Sequence, residues 1–239
     1  MKRRIIILFA ALICFSSAWA FERYGRSMWV PAYQRIRGYE TVESVIEKYG
    51  PSAEKRLIPD FFRANVDYPP ERVVLLSMKK ERVMELWARN KGDQLFTLIK
   101  RYPIKGASGR SGPKLLEGDR QVPEGFYSIT HLNPNSSYHL SMKLNYPNPL
   151  DLAYAREEGR HQPGSNIFIH GKSDSIGCLA MGDPAIEELF TLVYRTGMDK
   201  VEVLIAPYDP RKKPLKVGKG MPEWLPGLYR ALTRRFRAF

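Results

Sequence analysis

The stretch Ile167-Phe168-Ile169-His170-Gly171-Lys172-Ser173-Asp174-Ser175-Ile176-Gly177-Cys178-Leu179-Ala180-Met181 passes from a short apolar run, through a polar turn, back to an apolar run. Its pattern predicts a strand over 166–170, introduced by Pro163-Gly164-Ser165, and an exposed loop over 173–177. His170 ends the strand and Cys178 ends the loop, which is short enough to turn the two side chains toward each other. A thiol is a weak nucleophile until it loses its proton, its free pKa being about 8.5. A neighbouring imidazole takes that proton and activates the sulfur. Gly177 leaves room beside the sulfur for a substrate carbonyl, and backbone N–H groups of the turn are oxyanion-hole candidates. A third group has to orient the imidazole. Gly171, Ser173, Ser175 and the backbone carbonyls of the turn are all open for that role.

The amino-terminal residues sharpen the reading of the thiol. Lys2, Arg3 and Arg4 precede an unbroken apolar run, Ile5 to Phe15, and Ser16-Ser17-Ala18-Trp19-Ala20 ends in a small-x-small pattern. This is the pattern of a cleaved export signal over residues 1–20, too short to span a bilayer, which takes about 20 apolar residues. Cleavage removes Cys14 and leaves Cys178 alone, so no disulfide within the chain is expected. A single cysteine in an exported protein is an intermolecular disulfide partner, a reactive thiol or an inert buried residue, and the flanking turn argues against the last. The expected compartment is periplasmic.

The chain carries a formal charge of +13, of which the signal accounts for three. Residues 211–239 hold nine Lys or Arg against the single acid Glu223, so nearly all the remaining excess sits at the carboxyl end. The roughly 220 residues after the signal suit one good-sized domain with extensions. Val42, Val45, Ile46 and Tyr49 fall on one helical face, with Gly50-Pro51 expected to end that helix. Short strands are expected at 72–78, 82–88, 94–102, 125–130 and 200–206, with a turn at 133–137. A helix is expected to open with Asp183 as cap and Pro184 in its first turn. Residues 103–125 form a long Gly- and charge-rich loop, a kind often functional inside compact domains. These elements predict an α+β fold that is mainly β. Its parts are a helical lead-in at 21–70, a central domain at 71–207 and a basic tail at 208–239.

With these residues in view, Ile167-Phe168-Ile169-His170-Gly171 and Ser175-Ile176-Gly177-Cys178-Leu179-Ala180-Met181 resemble the L,D-transpeptidase catalytic (YkuD) family, and its YafK-like branch most. Val122-Pro123-Glu124-Gly125-Phe126-Tyr127, Leu132-Asn133-Pro134-Asn135-Ser136 and Tyr146-Pro147-Asn148 extend the resemblance upstream. It implies a β-sandwich catalytic domain that acts on peptidoglycan stem peptides without a cofactor. By position, Cys178 is the implied nucleophile and His170 the implied base. The chain departs from the commonest pattern of the family: seven residues separate the pair, and Ile176 stands where a second histidine is usual. Those departures leave the acyl acceptor open. An amine gives transpeptidation, and water gives a carboxypeptidase or an amidase. A non-catalytic wall-binding protein is the alternative of another class.

Other residues carry weaker signals. Arg110 and Lys114 in the long loop suit recognition of substrate carboxylates, and Tyr127 suits either the cleft or the core. His131, His139 and His161 lack partner motifs, and the scattered histidines with one cysteine make no metal set. Glu157-Glu158 is expected in a solvated turn. Trp224, Leu228, Leu232 and Phe236 recur every fourth residue among arginines. That pattern suits a basic amphipathic helix on an anionic membrane or envelope surface, or one docked on the domain with its arginines in water. Nucleic acid is not expected as a partner of an exported protein.

Overall fold

The computed structural model describes residues 14–17, 21 and 25–239. Apart from residues 14–17, the export signal expected at 1–20 lies outside the described residues. The chain divides into two compact units, residues 1–41 and 42–239. In the first, helix α1 (Arg26–Arg37) sets Trp29 edge-on to Tyr33 at 6.3 Å, and Arg37 donates to the Tyr33 hydroxyl at 2.7 Å. Among the described residues, no helix is long and apolar enough to cross a membrane.

The second unit is a mixed α+β fold. Its described residues form a nine-stranded sheet in the order β3-β2-β1-β9-β5-β6-β7-β8-β4. The strands are β1 (Arg72–Met78), β2 (Val83–Arg89), β3 (Thr97–Pro103), β4 (Gly106–Ala107), β5 (Gly125–Ser136), β6 (His139–Leu144), β7 (Phe168–His170), β8 (Leu179–Ala180) and β9 (Val201–Ala206). All neighbours are antiparallel except β1–β9 and β7–β8. β5 joins two halves. Its first residues pair with β9, its later ones with β6, and the β6 register shifts between Ile129 and His131. Residues of both halves, such as Leu75 and Val203 on one side and Met142 and Ile169 on the other, share one core.

The alternation of side chains explains why β1 is apolar almost throughout. Val73 and Leu75 enter that main core, while Val74, Leu76 and Met78 enter a second one on the opposite face. Helices α2 (Val42–Arg63) and α4 (Asp183–Thr196) close the main core. The second core is closed by α5 (Leu225–Phe236), which buries Leu225, Leu228, Leu232 and Phe236. The compact unit therefore reaches beyond the 71–207 segment at both ends: half of the lead-in and the tail helix complete its cores.

Several elements differ from the sequence expectation. Helix α2 does not end at Pro51 but runs through Pro51 and Pro59 to Arg63. Its buried face continues past Pro51 as Ala53, Leu57 and Phe61, and the Leu57 and Phe61 side chains each gain about 2 kcal/mol on burial, which offsets the lost backbone bonds. The turn expected at 133–137 is narrower, because β5 continues to Ser136 and Ser137-Tyr138 make a two-residue hairpin. Helix α3 (Pro149–Glu157) was not expected from hydrophobic period. Its signal is a capping box: Asn148 Oδ1 accepts from Leu150 and Asp151, and Asp151 accepts from the Asn148 N–H, each at 2.9 Å. Glu157 thus ends a helix, and Glu158 accepts from the Trp224 indole at 3.1 Å.

Candidate active site

The parallel pair β7–β8 sets the geometry of the site. Ile169 lies opposite Leu179 and His170 opposite Ala180. Because faces alternate, Ile169 and Leu179 point into the core while Phe168, His170 and Cys178 share the other face. There they line a cavity of about 290 Å³ together with Tyr138, Ser141 and Ile176. Ser141 reaches it from β6, directly opposite His170. Tyr138 reaches it from the hairpin tip, its ring 4.8 Å from the imidazole of His170.

The imidazole is held by its neighbour. His170 Nδ1 lies 2.6 Å from the Gly171 carbonyl oxygen. That oxygen can only accept, so Nδ1 carries the proton and Nε2 keeps its lone pair. The orienting group left open among several is thus the backbone carbonyl of Gly171. Burial holds the His170 pKa below its usual value, although the Gly171 carbonyl and Asp174 pull the other way. Burial also pushes the Cys178 thiol up, partly offset by the Phe168 N–H and the charge of Lys114. The resting pair is therefore thiol and neutral imidazole, in which the sulfur would become a nucleophile only if a base took its proton.

The loop between them is braced on both sides. Lys172 donates its N–H to Asp183 Oδ1 at 2.9 Å and pairs with Oδ2 through Nζ. Asp183 was expected to cap α4, but Gly182 holds the cap position and the carboxylate fastens the loop between His170 and Cys178 instead. At Gly171 a Cβ would meet Tyr138 O at 2.7 Å and Asp183 Oδ1 at 2.8 Å, so the hairpin and helix close on it only without a side chain. Gly177 has φ +108°, a conformation that favours glycine. Its N–H donates to Ser108 Oγ at 2.6 Å, and Ser175 Oγ donates to the Cys178 carbonyl at 2.6 Å. Gly177 and Ser175 thus shape the turn.

The structure separates the remaining site residues of the sequence reading. Tyr127 is buried in β5, donating to Glu124 O at 3.2 Å, away from the cavity lining. Arg110 is exposed and lines a different, smaller cavity with Lys79, Lys80 and Arg82. Lys114 is buried beside Asp119 at 2.7 Å and acts on Cys178 only through its charge. His139 pairs with Glu187 at 3.0 Å, and His131 and His161 are exposed. Tyr138, Ser141 and Ser108 were not singled out by sequence. Their roles come from a hairpin turn, a strand register and a contact 69 residues away in the chain, which no local pattern encodes.

The long loop is anchored rather than loose. Lys79, buried at the end of β1, donates to Gly112 O at 3.0 Å, Val122 O at 2.7 Å and Glu124 Oε1 at 3.0 Å. Glu124 also accepts from the Gly112 N–H and from the Tyr229 hydroxyl, each at 2.8 Å. Asp119 accepts from the N–H groups of Leu115, Leu116 and Gln121.

Comparison with known proteins bears on this arrangement. The chain is 36% identical over 141 residues to the Escherichia coli K12 protein named "Putative L,D-transpeptidase YafK", an alignment covering 57% of this chain and 54% of that protein. The chain spans about half the length of the curated relatives it matches. Among solved structures it is similar to the helical cell shape determining protein Pgp2 of Campylobacter jejuni, at 22% identity and a TM-score of 0.46 over 57% of this chain and 48% of that one. It is similar as well to Bdellovibrio bacteriovorus Bd1075, at 20% identity and a TM-score of 0.41 over 72% and 57% of the two chains. Residues 71–203, more than half of the sequence, match the YkuD model, the L,D-transpeptidase catalytic domain, and the chain belongs to that family.

Proposed function

We propose that the protein is an exported cysteine transacylase of peptidoglycan stem peptides, an L,D-transpeptidase with Cys178 as nucleophile and His170 as base. The observation that carries this is the tautomer of His170: Nδ1 is tied to Gly171 O, which leaves Nε2 as acceptor in the cavity that also holds Cys178. In the reaction, Nε2 takes the thiol proton as sulfur attacks the carbonyl at the L-centre of the diamino acid. The bond to the following D-residue breaks, and its amine leaves with the proton held by the imidazole. The thioester then passes to an incoming amine. Since the Gly177 N–H is held by Ser108, this reading assigns the oxyanion to the N–H of Cys178.

Resolution by water is the second reading, giving a carboxypeptidase or amidase from the same acyl-enzyme. It is favoured by Ile176, which is 74% exposed at the cavity mouth and offers an accepting amine no hydrogen bond. Muropeptides incubated with the protein and resolved by chromatography and mass spectrometry decide between them. New 3–3 crosslinked dimers support transfer, and shortened or released stems alone support hydrolysis. Cys178→Ala must abolish both, along with acylation by a carbapenem read by intact mass. If acylation persists in that variant, the assignment of the nucleophile is wrong. The same reading puts the protein in the periplasm, where residues 211–239, at +8, face anionic envelope surfaces.

A further inference from the structure

Helix α5 has two working faces. Leu225, Leu228, Leu232 and Phe236 are consumed in the second core, so the helix has no apolar face left to insert into a bilayer. Arg230, Arg234 and Arg237 recur at the i, i+4, i+7 spacing of the opposite face and are exposed. Facing them is the segment 210–217, with Lys212 and Lys213. Between the two lies a cavity of about 680 Å³ with Tyr229 in its wall. It shares no residue with the cavity of Cys178 and His170.

The charges of this cleft are poorly balanced. Arg211 is neutralised by Asp209 and Glu85, each at 2.9 Å. Among the described residues, no carboxylate oxygen lies within 4.0 Å of a cationic nitrogen of Lys212, Arg230, Arg234 or Arg237. Like charges four apart on a helix repel, so the concentration of arginines is unfavourable until an anion enters. Arginines line one wall and Lys212 and Lys213 the other, Lys213 Nζ resting 4.4 Å from the centre of the Tyr208 ring; such a lining matches phosphate oxygens, which arginine binds through paired N–H donors.

We propose that the cleft between residues 210–217 and α5 binds phosphate groups, supplied by the headgroups of an anionic membrane surface. The choice of membrane as source rests on the envelope location argued above; the phosphate chemistry rests on the cleft alone. Attachment is electrostatic, without insertion, because the apolar face of the helix is already buried.

The test is co-sedimentation of the purified protein with vesicles of phosphatidylcholine, with and without phosphatidylglycerol, at fixed salt. Binding is expected only with phosphatidylglycerol. Replacing Arg230, Arg234 and Arg237 together by Gln should weaken it on the order of 100-fold, at about 1 kcal/mol per cation near an anionic surface. A control with the same charge change elsewhere, Lys55→Gln, Lys91→Gln and Arg156→Gln, should keep most of the binding, and pyrophosphate should compete. If control and cleft variants weaken equally, net charge rather than the cleft is responsible and the site is refuted. If pyrophosphate binds but vesicles do not, the membrane source is refuted. Carbapenem acylation, measured on every variant, should be unchanged, so failure of the cleft and failure of the Cys178 assignment read separately.

Discussion

Ser108 Oγ accepts the backbone N–H of Gly177 at 2.6 Å and donates to the Arg120 carbonyl at 2.8 Å. One hydroxyl thus ties the turn before Cys178 to the far limb of the long loop. It fixes the peptide plane between Ile176 and Gly177, one peptide before the unit that carries the Cys178 N–H.

Ser108→Ala should therefore slow acylation of Cys178 about tenfold while costing about 1–3 kcal/mol of stability, the usual worth of the two hydrogen bonds its hydroxyl makes. Intact-mass kinetics with a carbapenem and urea unfolding give the two numbers. A stability loss with an unchanged acylation rate would make Ser108 merely structural.

The pH dependence follows from the two shifts at the site. His170 must be neutral to accept a proton, and its pKa lies below the usual 6.5. The acylation rate should then be flat at neutral pH and fall only as pH drops through a midpoint under 6.5. His170→Asn should reduce the neutral rate roughly 10²–10⁴-fold and leave a residual rate that rises in alkali as the thiol ionises. Stability carries the same sign. The unfolded chain binds this proton more readily than the folded one, so the contribution of His170 is present above 6.5 and is lost as pH falls through its lowered value. A midpoint at or above 7 would contradict the buried neutral imidazole.

Lys79 and Glu124 form a buried ion pair, with side chains 6% and 0% exposed. Lys79→Met strands the carboxylate and should cost about 3–5 kcal/mol. Adding Glu124→Gln removes the stranded charge while keeping an acceptor for the Gly112 N–H, so the double variant should be more stable than Lys79→Met alone. Chemical denaturation of the two variants tests this. A double variant no more stable than Lys79→Met would show that the pair is not coupled.

Leu232 is fully buried where α5 meets the sheet. Leu232→Ala should cost about 2–5 kcal/mol in solution with no membrane present. A change within about 0.5 kcal/mol, the range of ordinary surface substitutions, would mean that the helix is not docked.

Much of the fold was legible in local pattern. Short apolar runs bounded by charged turns located β1, β2 and β3 to within a few residues, and β9 was located by its alternating Val201, Val203 and Ile205. Pattern failed where long-range packing outweighed local preference, as in α2 running through Pro51, and where a cap rather than an apolar stripe signals a helix, as in α3. The same division holds at the site. The His170-to-Cys178 spacing is written in the chain, but Tyr138 beside the imidazole and Ser108 beneath Gly177 arrive from elements far away in sequence.

By itself the sequence determined the solitary thiol beyond the signal pattern, its turn, its histidine and the family resemblance, because each lies within a short contiguous stretch. It also placed the excess charge at the carboxyl end. Only the tertiary structure decided what those features do. It assigned the Gly171 carbonyl as the orienting group, turned Gly177 and Ser175 into braces of the loop, and put Tyr127 in the core. It also docked the apolar face of the basic helix and left its arginines around a cleft. The physical reason is common to all of these: each depends on which groups meet across the sheet, and a one-dimensional pattern fixes the face a side chain takes but not the partner it finds there.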